Sequence, residues 1–311
     1  MFAMLFAQSG LSLDRLRALV EVGAAGSMVR AAEGDPARQS QYSRQIKELE
    51  DFFQTGLVER HGKGIRLTAS DRELARISRF FLLGLSNFQR GSLAEGQTYR
   101  IGASPTFIAS FLLAVLAEPR CVQSGIRFGI EAVLGDEVER RLHDLTLDFG
   151  VVSRAALTRP LQLRELGSWR LRFWVPKALC KSAKQAARAF VDKRLPVVWP
   201  AGELPQSEFT VLEDYEPALT CTNFLEARIA LGEKAVAAFL PDFVSLGTMA
   251  DRCLELKLPT VSSCLFHYRL AWNPRLLRLN PHAGRRRDAL VEALVLKLSS
   301  VAAGGGGRAS R

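Results

Sequence analysis

The chain has 311 residues, of which 48% are hydrophobic and 24% charged, a composition that excludes a disordered or fibrous protein and allows two or three compact units. Its net charge is +10, with 13 basic against 10 acidic residues in Leu11–Arg90 and 29 against 22 in the remainder, so charge favours a polyanionic partner without locating its site. No apolar run approaches the roughly 20 residues needed to span a bilayer, and Met1–Ala7 is too short for a secretory signal, so we expect a cytoplasmic protein without membrane contact.

The N-terminal segment has the pattern of a helix-turn-helix. Apolar residues recur on one face of a first helix, Gly26 ends it, and Ser27 is a natural N-cap for a second short helix over Met28–Glu33. Gly34–Pro36 is typical of a turn, because proline cannot continue a helix interior. A third helix is predicted from Arg38 to Phe52.

The third helix is amphipathic. Tyr42, Ile46 and Leu49 share one stripe and are expected to pack inward. The opposite face carries hydrogen-bonding and cationic side chains, namely Ser40, Arg44 and Lys47, flanked by Gln41 and Ser43. Such a face fits the major groove of DNA, where arginine reads guanine and glutamine reads adenine. An ordinary solvated helix face is the alternative at this point.

Two short strand-like runs follow the third helix, Leu57–Arg60 and Ile65–Thr68, around a turn with two glycines. Arg60, Lys63 and Arg66 lie on or beside this hairpin. A basic hairpin after a helix-turn-helix is typical of a wing that contacts phosphates. The sequence therefore predicts double-stranded DNA as a partner.

A longer helix is predicted over Ala69–Gln89. Its apolar residues recur at spacings of three and four, at Leu74, Ile77, Phe81, Leu85 and Phe88. Such a seam either pairs with a second copy of the helix or packs on its own domain. Gly91–Gln97 is a Gly/Ser/Glu break typical of a linker.

From Thr98 onward strand-like and helix-like segments alternate, which predicts an α/β domain. Either Ser104 or Thr106 is expected to cap a helix over Phe107–Leu116, and Pro241–Phe243 is expected to open a later helix. The Gly-rich tail, Gly304–Arg311, is expected to be disordered.

Ligands of open α/β sheets lie at the carboxyl ends of the strands. The candidate ligand-binding residues at such ends are Ser104, Thr106, Gly135, Ser153, Thr222 and Asn223. Each of them fits a helix cap or a turn equally well. Because hydroxyl groups and helix N-termini cluster there in a basic domain, the hypothesis is that the ligand is a small anion.

The sequence carries no enzyme signature. Its four histidines lie far apart without metal-ligand spacing, and it has no GxSxG, P-loop or GxGxxG motif. We therefore expect no catalytic residue, no metal and no cofactor. The five cysteines are scattered, which fits reduced, buried thiols, although Cys221 beside the predicted cleft leaves a redox sensor as an alternative.

In order along the chain, these elements resemble the N-terminal signature of the LysR-type transcriptional regulators. The segments that carry the resemblance are Leu16–Val20, Gly26–Ala32, Ser43–Glu50, Leu57–Arg60 and Arg66–Thr68. The Asp148-Phe149-Gly150 strand resembles the family more loosely, and Asp71 stands where the family usually has glycine. The resemblance maps Gln39, Ser40, Ser43 and Arg44 to positions that face the groove.

The resemblance also implies a domain plan of mixed class. It implies a mainly α winged helix-turn-helix over 11–68, a dimerising linker helix and hinge over 69–97, and a two-lobed α/β effector domain over 98–303, similar to periplasmic binding proteins. The lobes would be 98–165 with 268–303, and 166–267, leaving 304–311 as the tail.

The partners implied are operator DNA, a small-molecule effector, further copies in a homodimer or homotetramer, and RNA polymerase. The alternative is a solute-binding module or a small-molecule enzyme that carries a DNA-binding appendage.

Overall fold

A computed structural model describes residues 5, 9–61, 64–93, 98–122, 127–204, 215–279 and 283–305. The chain folds into two compact units. The first comprises Met1–Glu95 with His143–Leu145 and Arg275–Pro281, and the second comprises Gly96–Leu142, Thr146–Pro274 and His282–Arg311. Among the described residues, no helix is long and apolar enough to cross a membrane.

The first unit contains three helices, a hairpin and a long helix. In chain order these are α1 (Leu13–Ala25), α2 (Met28–Ala31), α3 (Pro36–Phe53), β1 (Val58–His61), β2 (Gly64–Leu67) and α4 (Ala69–Leu93). Helices α1, α2 and α3 enclose a core that includes Leu19, Ile46 and Leu49, each at most 1% exposed. The inward stripe predicted for the third helix is confirmed.

Local caps explain where these helices begin. Ser27 caps α2 as predicted, its side chain accepting from the N–H of Arg30. Helix α3 begins two residues before the predicted Arg38, because Asp35 is its N-cap and accepts from the N–H of Ala37 at 2.8 Å. Pro36 occupies the first turn, where its missing N–H costs no hydrogen bond.

The hairpin and the long helix differ from prediction by small shifts. Strands β1 and β2 pair antiparallel, with Val58 opposite Leu67 and His61 opposite Gly64. Helix α4 continues to Leu93, into the segment predicted as a linker, and the rest of that segment (94–97) lies outside the described residues. Of Met1–Ala7, only Leu5 is described.

The second unit is an α/β domain with two five-stranded sheets. The elements of its first half are β3 (Thr98–Ala103), α5 (Pro105–Phe107), a π-helical turn (Ile108–Leu112), α6 (Leu113–Leu116), α7 (Pro119–Val122), β4 (Arg127–Ala132), α8 (Asp136–His143), β5 (Phe149–Val152), β6 (Gln162–Trp169) and β7 (Leu171–Pro176). Those that follow are α9 (Ala183–Val191), β8 (Val197–Pro200), β9 (Leu219–Cys221), α10 (Phe224–Gly232), β10 (Ala237–Pro241), a 3-10 helix (Gly247–Arg252), β11 (Cys253–Leu256), α11 (Pro259–Ser262), β12 (Phe266–Trp272), α12 (Pro274–Leu279) and α13 (Ala283–Gly305). All but the first residue of α12 belong to the first unit.

The strand order separates two lobes. The first sheet runs β4-β3-β5-β12-β6 and the second runs β11-β7-β10-β8-β9. The chain passes from the first sheet to the second between Trp169 and Leu171, and β12 returns it to the first. Strands β3, β4 and β5 are mutually parallel, as are β8, β9 and β10, so each lobe gathers strand carboxyl ends at one edge.

Two expectations about this unit were wrong. Pro241 ends β10, and Asp242 and Phe243 lie in a turn rather than opening an α-helix. The predicted tail begins too early, because Gly304 and Gly305 belong to α13, while 306–311 lie outside the described residues. The predicted fold class, a winged helix-turn-helix followed by a two-lobed α/β domain, is confirmed.

Candidate nucleic-acid interface and effector cleft

The outer face of α3 is polar and exposed. All six predicted DNA-binding residues of this helix are exposed: Gln39, Ser40, Gln41, Ser43, Arg44 and Lys47. The opposite stripe is 7% or less exposed at Tyr42, Ile46 and Leu49, so burial of one side presents the other to solvent. An arginine and a lysine among amides and hydroxyls can donate to base edges and to phosphates.

Polar contacts fix the rotation of α3 against α1. The hydroxyl of Tyr42 donates to Glu21 Oε2 at 2.6 Å, and Arg38 Nη2 donates to the same hydroxyl at 3.4 Å. The hydrogen bond to Glu21 raises the pKa of Tyr42, because it stabilises the protonated phenol. An ion pair of Arg15 with Glu48 joins the two helices at a second point. A helix held in this way presents its outer side chains in one orientation.

The hairpin is tied to the same helix. Glu50 Oε1 of α3 accepts from the N–H groups of Leu57 and Val58, at 2.7 and 3.1 Å. Arg60 lies in β1 opposite Ile65, and Arg66 lies in β2 opposite Glu59. Lys63, the third predicted wing residue, lies outside the described residues.

Helix α4 has two apolar faces with different surroundings. Leu74 and Leu82 pack on the core of the first unit. The rest of the predicted seam is exposed, at 53% for Ile77, 49% for Phe81, 44% for Leu85 and 79% for Phe88. The helix therefore packs on its own domain along one side, and large apolar side chains on another side are exposed to solvent.

We use the word cleft for the region where the two lobes of the second unit meet, and this region contains a carboxylate. Glu203, which follows β8, accepts from the N–H of Thr106 at 3.0 Å, from the hydroxyl of Thr106, and from the N–H of Phe224 at 2.9 Å. Thr106 belongs to the first lobe, whereas Glu203 and Phe224 belong to the second. We call the two N–H groups and the hydroxyl the donor cluster.

Three more predicted residues shape this cleft. Ser104 caps α5, with its side chain accepting from the N–H of Phe107, so the choice between Ser104 and Thr106 as cap is resolved. Asn223 caps α10 and accepts from the N–H groups of Leu225 and Glu226. Thr222 donates its N–H to Glu226. Their cap roles are observed, and their contact with an effector remains a prediction.

The two lobes approach each other closely at Gly202, which fixes the position of the neighbouring Glu203. A Cβ added to Gly202 would lie 2.5 Å from the carbonyl oxygen of Thr222 and 2.7 Å from Leu134 Cδ1, so only glycine fits there. Leu134 precedes Gly135, which is exposed at a φ of +49° before α8. Gly135 is thus on the first-lobe side of this approach.

Ser153 has a different neighbour. It is exposed after β5, and its carbonyl accepts from Arg269 Nη1 at 3.0 Å. The structure thus gathers five of the six predicted effector residues around the approach of the two lobes, and gives Ser153 a contact to β12.

Aromatic rings line the lobe junction. Phe107 and Tyr268 lie 4.7 Å apart by ring centroid, Phe111 and Phe243 4.8 Å, and Trp169 lies 5.6 Å from Tyr268. Burial, with smaller effects of Glu203 and Asp242, raises the pKa of Tyr268 well above its usual value. The phenol therefore stays neutral in the physiological range.

Cys221 lies at the edge of the cleft as a thiol. Burial, followed by the charge of Glu226, raises its pKa, and its Sγ lies 3.4 Å from the carbonyl oxygen of Asn223. A raised pKa lowers the fraction of thiolate, the form that reacts with oxidants. Within the part of the chain that the structure describes, no three His, Cys, Asp or Glu residues form a group that could hold a metal ion.

Sequence reasoning missed Glu203 because no periodic pattern marks it. The available signal is the Ala201-Gly202 turn, which directly follows a buried strand at the sheet edge where the other candidate residues lie. It also missed Glu50 and Glu21, which position the DNA-facing elements from behind.

The chain thus joins a winged helix-turn-helix with a polar outer helix to a two-lobed α/β domain with polar residues between its lobes. The chain matches the family described as "Bacterial regulatory helix-turn-helix protein, lysR family" over residues 13–70 and the "LysR substrate binding domain" over residues 94–294. Because the second match alone covers more than half of the chain, the protein belongs to the LysR family. This is a family of transcriptional regulators rather than of enzymes.

Individual relatives are distant. The HTH-type transcriptional regulator PcaQ of Agrobacterium fabrum is 29% identical over 173 residues, which is 53% of this chain and 55% of PcaQ, so the chain spans about half the length of that relative. Full-length OxyR from Pseudomonas aeruginosa has a TM-score of 0.61 at 18% identity, covering 93% of this chain and 96% of its own. LysG from Corynebacterium glutamicum, solved with bound effector Arg, has a TM-score of 0.60 at 17% identity, covering 92% and 99%. These identities show a shared fold alone.

Proposed function

We propose that this protein is a sequence-specific DNA-binding transcriptional regulator of the cytoplasm whose activity responds to a small molecule held between the two lobes. The observation that carries the proposal is the exposed face of α3, positioned by the Tyr42–Glu21 hydrogen bond and followed by a wing tied to the same helix. Membership of the LysR family supports the same assignment. Gln39, Ser40, Ser43 and Arg44 would face the bases, while Arg60, Lys63 and Arg66 would contact phosphates.

Genome-wide mapping of bound DNA tests the proposal and yields the operator. Binding of the full chain to that operator is then compared with binding to random DNA of equal length, for wild type and for Arg44→Ala. The matched control is Arg188→Ala, which removes the same charge from an exposed side chain of α9. Binding without preferred sites in the genome would contradict the proposal.

We further propose that the regulator is a homodimer joined through α4. Four large apolar side chains on one helix, exposed by 44–79%, form the kind of patch that soluble proteins cover with a partner, and a second copy presents the same apolar seam. A dimer places two α3 helices on a roughly palindromic operator, one or more helical turns apart. RNA polymerase is a further partner in this proposal.

Light scattering coupled to size-exclusion chromatography of the full chain measures the mass of the assembly and so tests this proposal. Phe81→Glu should halve the mass of the wild-type dimer, or convert a tetramer into smaller species, whereas Val191→Glu, at a site of α9 that is 76% exposed, should leave the mass unchanged. A monomeric wild type, or an unchanged mass for Phe81→Glu, would contradict pairing through α4.

The effector site is proposed around the donor cluster. Thr106 supplies two of its donors, Ser104, Thr222 and Asn223 are its neighbours in the chain, and Gly135 lies beside the approach of the lobes. Ser153 is kept as a peripheral candidate at the end of a neighbouring strand. Calorimetry of the full chain with a panel of carboxylates and neutral analogues tests the anion hypothesis, and binding of neutral ligands only would refute it.

A further inference from the structure

The donor cluster is already occupied by a side chain of the protein itself. Each carboxylate oxygen of Glu203 has at least one donor, and the three donors come from two lobes. Thr106 is fully buried and Phe224 is 1% exposed, so both N–H groups lie away from bulk water. A carboxylate that accepts from two backbone N–H groups and a hydroxyl in a buried site is bound as a small-molecule carboxylate would be.

The chain itself uses all the donors of the two first helical turns. In α5, Pro105 has no N–H, the N–H of Thr106 donates to Glu203, and that of Phe107 donates to Ser104. In α10, the N–H of Phe224 likewise donates to Glu203, and the two N–H groups that follow donate to the cap residue. A second carboxylate would therefore find these donors taken.

The backbone holds Glu203 in this place. The N–H of Gly202 donates to the carbonyl of Thr222 at 3.1 Å, and the N–H of Glu203 donates to that of Pro200 at 3.0 Å. The short turn after β8 is thus tied to the strand pair β8–β9, and its carboxylate points across to the first lobe. Tethering gives the side chain a high effective concentration at the donor cluster.

We propose that Glu203 is a built-in carboxylate ligand of the cleft, and that a free carboxylate binds the donor cluster only in exchange for it. The exchange would release one of the bridges between the lobes. The effector would then contact the donor cluster only in the state without this bridge, and its binding would favour that state. The regulatory role of this exchange rests on the proposed function, whereas the binding of Glu203 to the donor cluster rests on the observed contacts alone. The cluster thereby selects ligands that carry a carboxylate and can displace a tethered one.

Site-resolved hydrogen exchange on the full chain tests whether Glu203 occupies the donor cluster. In Glu203→Ala the amides of Thr106 and Phe224 should exchange roughly tenfold to a hundredfold faster, the strength of hydrogen bonds to a charged acceptor. The amide of Ala227, which donates to the carbonyl of Asn223, should be unchanged. Glu233→Ala, which removes an exposed carboxylate from the same lobe, is the matched control.

Acetate is the probe for the ligand class. It should slow exchange at both amides of Glu203→Ala back toward the wild-type rate, whereas chloride at equal ionic strength should not, and wild type and Glu233→Ala should be insensitive to both. An equal response of wild type, or no acetate effect on folded Glu203→Ala, overturns the proposal.

Two further outcomes are decisive. If Glu203→Ala does not fold, Glu203→Gln is used instead; its amide has one oxygen and no charge, so at least one of the two amides must exchange faster, and wild-type rates at both amides would overturn the proposal. Operator binding is measured separately. If the protein binds no operator but acetate still slows exchange in Glu203→Ala, the proposed function is refuted and the inference about Glu203 stands.

Discussion

Asp71 should make the first unit less stable as the pH rises. It lies in the first turn of α4, where its Oδ2 accepts from the N–H of Thr68 at 3.1 Å and Thr68 Oγ1 accepts from the N–H of Asp71 at 3.2 Å, a capping box. Its carboxyl group is fully buried, and Oδ1 has no hydrogen-bond partner among the described residues. Burial raises its pKa from 3.8 to about 7, and the nearby Glu50 adds to the rise.

The direction follows from the protons bound in each state. Between the two pKa values the unfolded chain has lost this proton and the folded chain still holds it, so stability present below pH 4 is lost as the pH rises toward 7. With pKa values of 3.8 and about 7, the loss between pH 5 and pH 8 is about 2.5 kcal/mol, roughly 70-fold in the unfolding equilibrium.

Hydrogen exchange of the core amides of Leu19 and Ile46 measures the stability of this unit within the full chain. Asp71→Asn should remove most of the loss between pH 5 and pH 8, because asparagine keeps an acceptor for Thr68 and does not titrate. Asp51→Asn, at an exposed site of α3, is the control and should keep the wild-type pH dependence. Equal pH dependence of wild type and Asp71→Asn would refute the reasoning, since a pH-independent cost of the substitution cancels in the comparison.

Other predictions concern single side chains. Arg44→Ala should weaken binding to the operator by about 1–3 kcal/mol and binding to random DNA much less, as measured by fluorescence anisotropy; equal losses on both would show that Arg44 contacts phosphate only. Tyr42→Phe should destabilise the first unit by about 1 kcal/mol in the same exchange assay, because it removes the hydrogen bond to Glu21. Gly150→Ala should destabilise the second unit by about 1–3 kcal/mol in urea titrations followed by tryptophan fluorescence, since its Cβ would lie 2.4 Å from Val138 Cγ1; an unchanged midpoint would contradict this packing. Operator binding should survive mild peroxide treatment, because the raised pKa of Cys221 keeps it a thiol, and a loss that Cys221→Ser prevents would restore the redox sensor.

The DNA-binding unit was largely predictable because its signals are local. A stripe with helical period fixed the buried side of α3, and Ser27 marked the start of α2. The start of α3 was misplaced because Pro36 is compatible both with a turn and with the first turn of a helix, and only the contact of Asp35 with the N–H of Ala37 distinguishes them. The capping box of Thr68 and Asp71 was not predicted, because the family resemblance led us to expect glycine at position 71.

Local sequence signals predict only part of the cleft. Local rules identified Ser104, Thr106 and Asn223, because caps and polar residues at strand ends follow from sequence spacing. The partner of Thr106, however, lies 97 residues away in the chain, and the topology of two sheets, not a period, brings Glu203 to it. Because a donor and its acceptor are then fixed by different parts of the fold, a sequence can indicate that a site offers N–H groups without indicating that the chain itself fills them. For this reason helix N-termini between two lobes of a basic domain do not by themselves form an open anion site, and the group that already occupies them must be identified before a ligand is inferred.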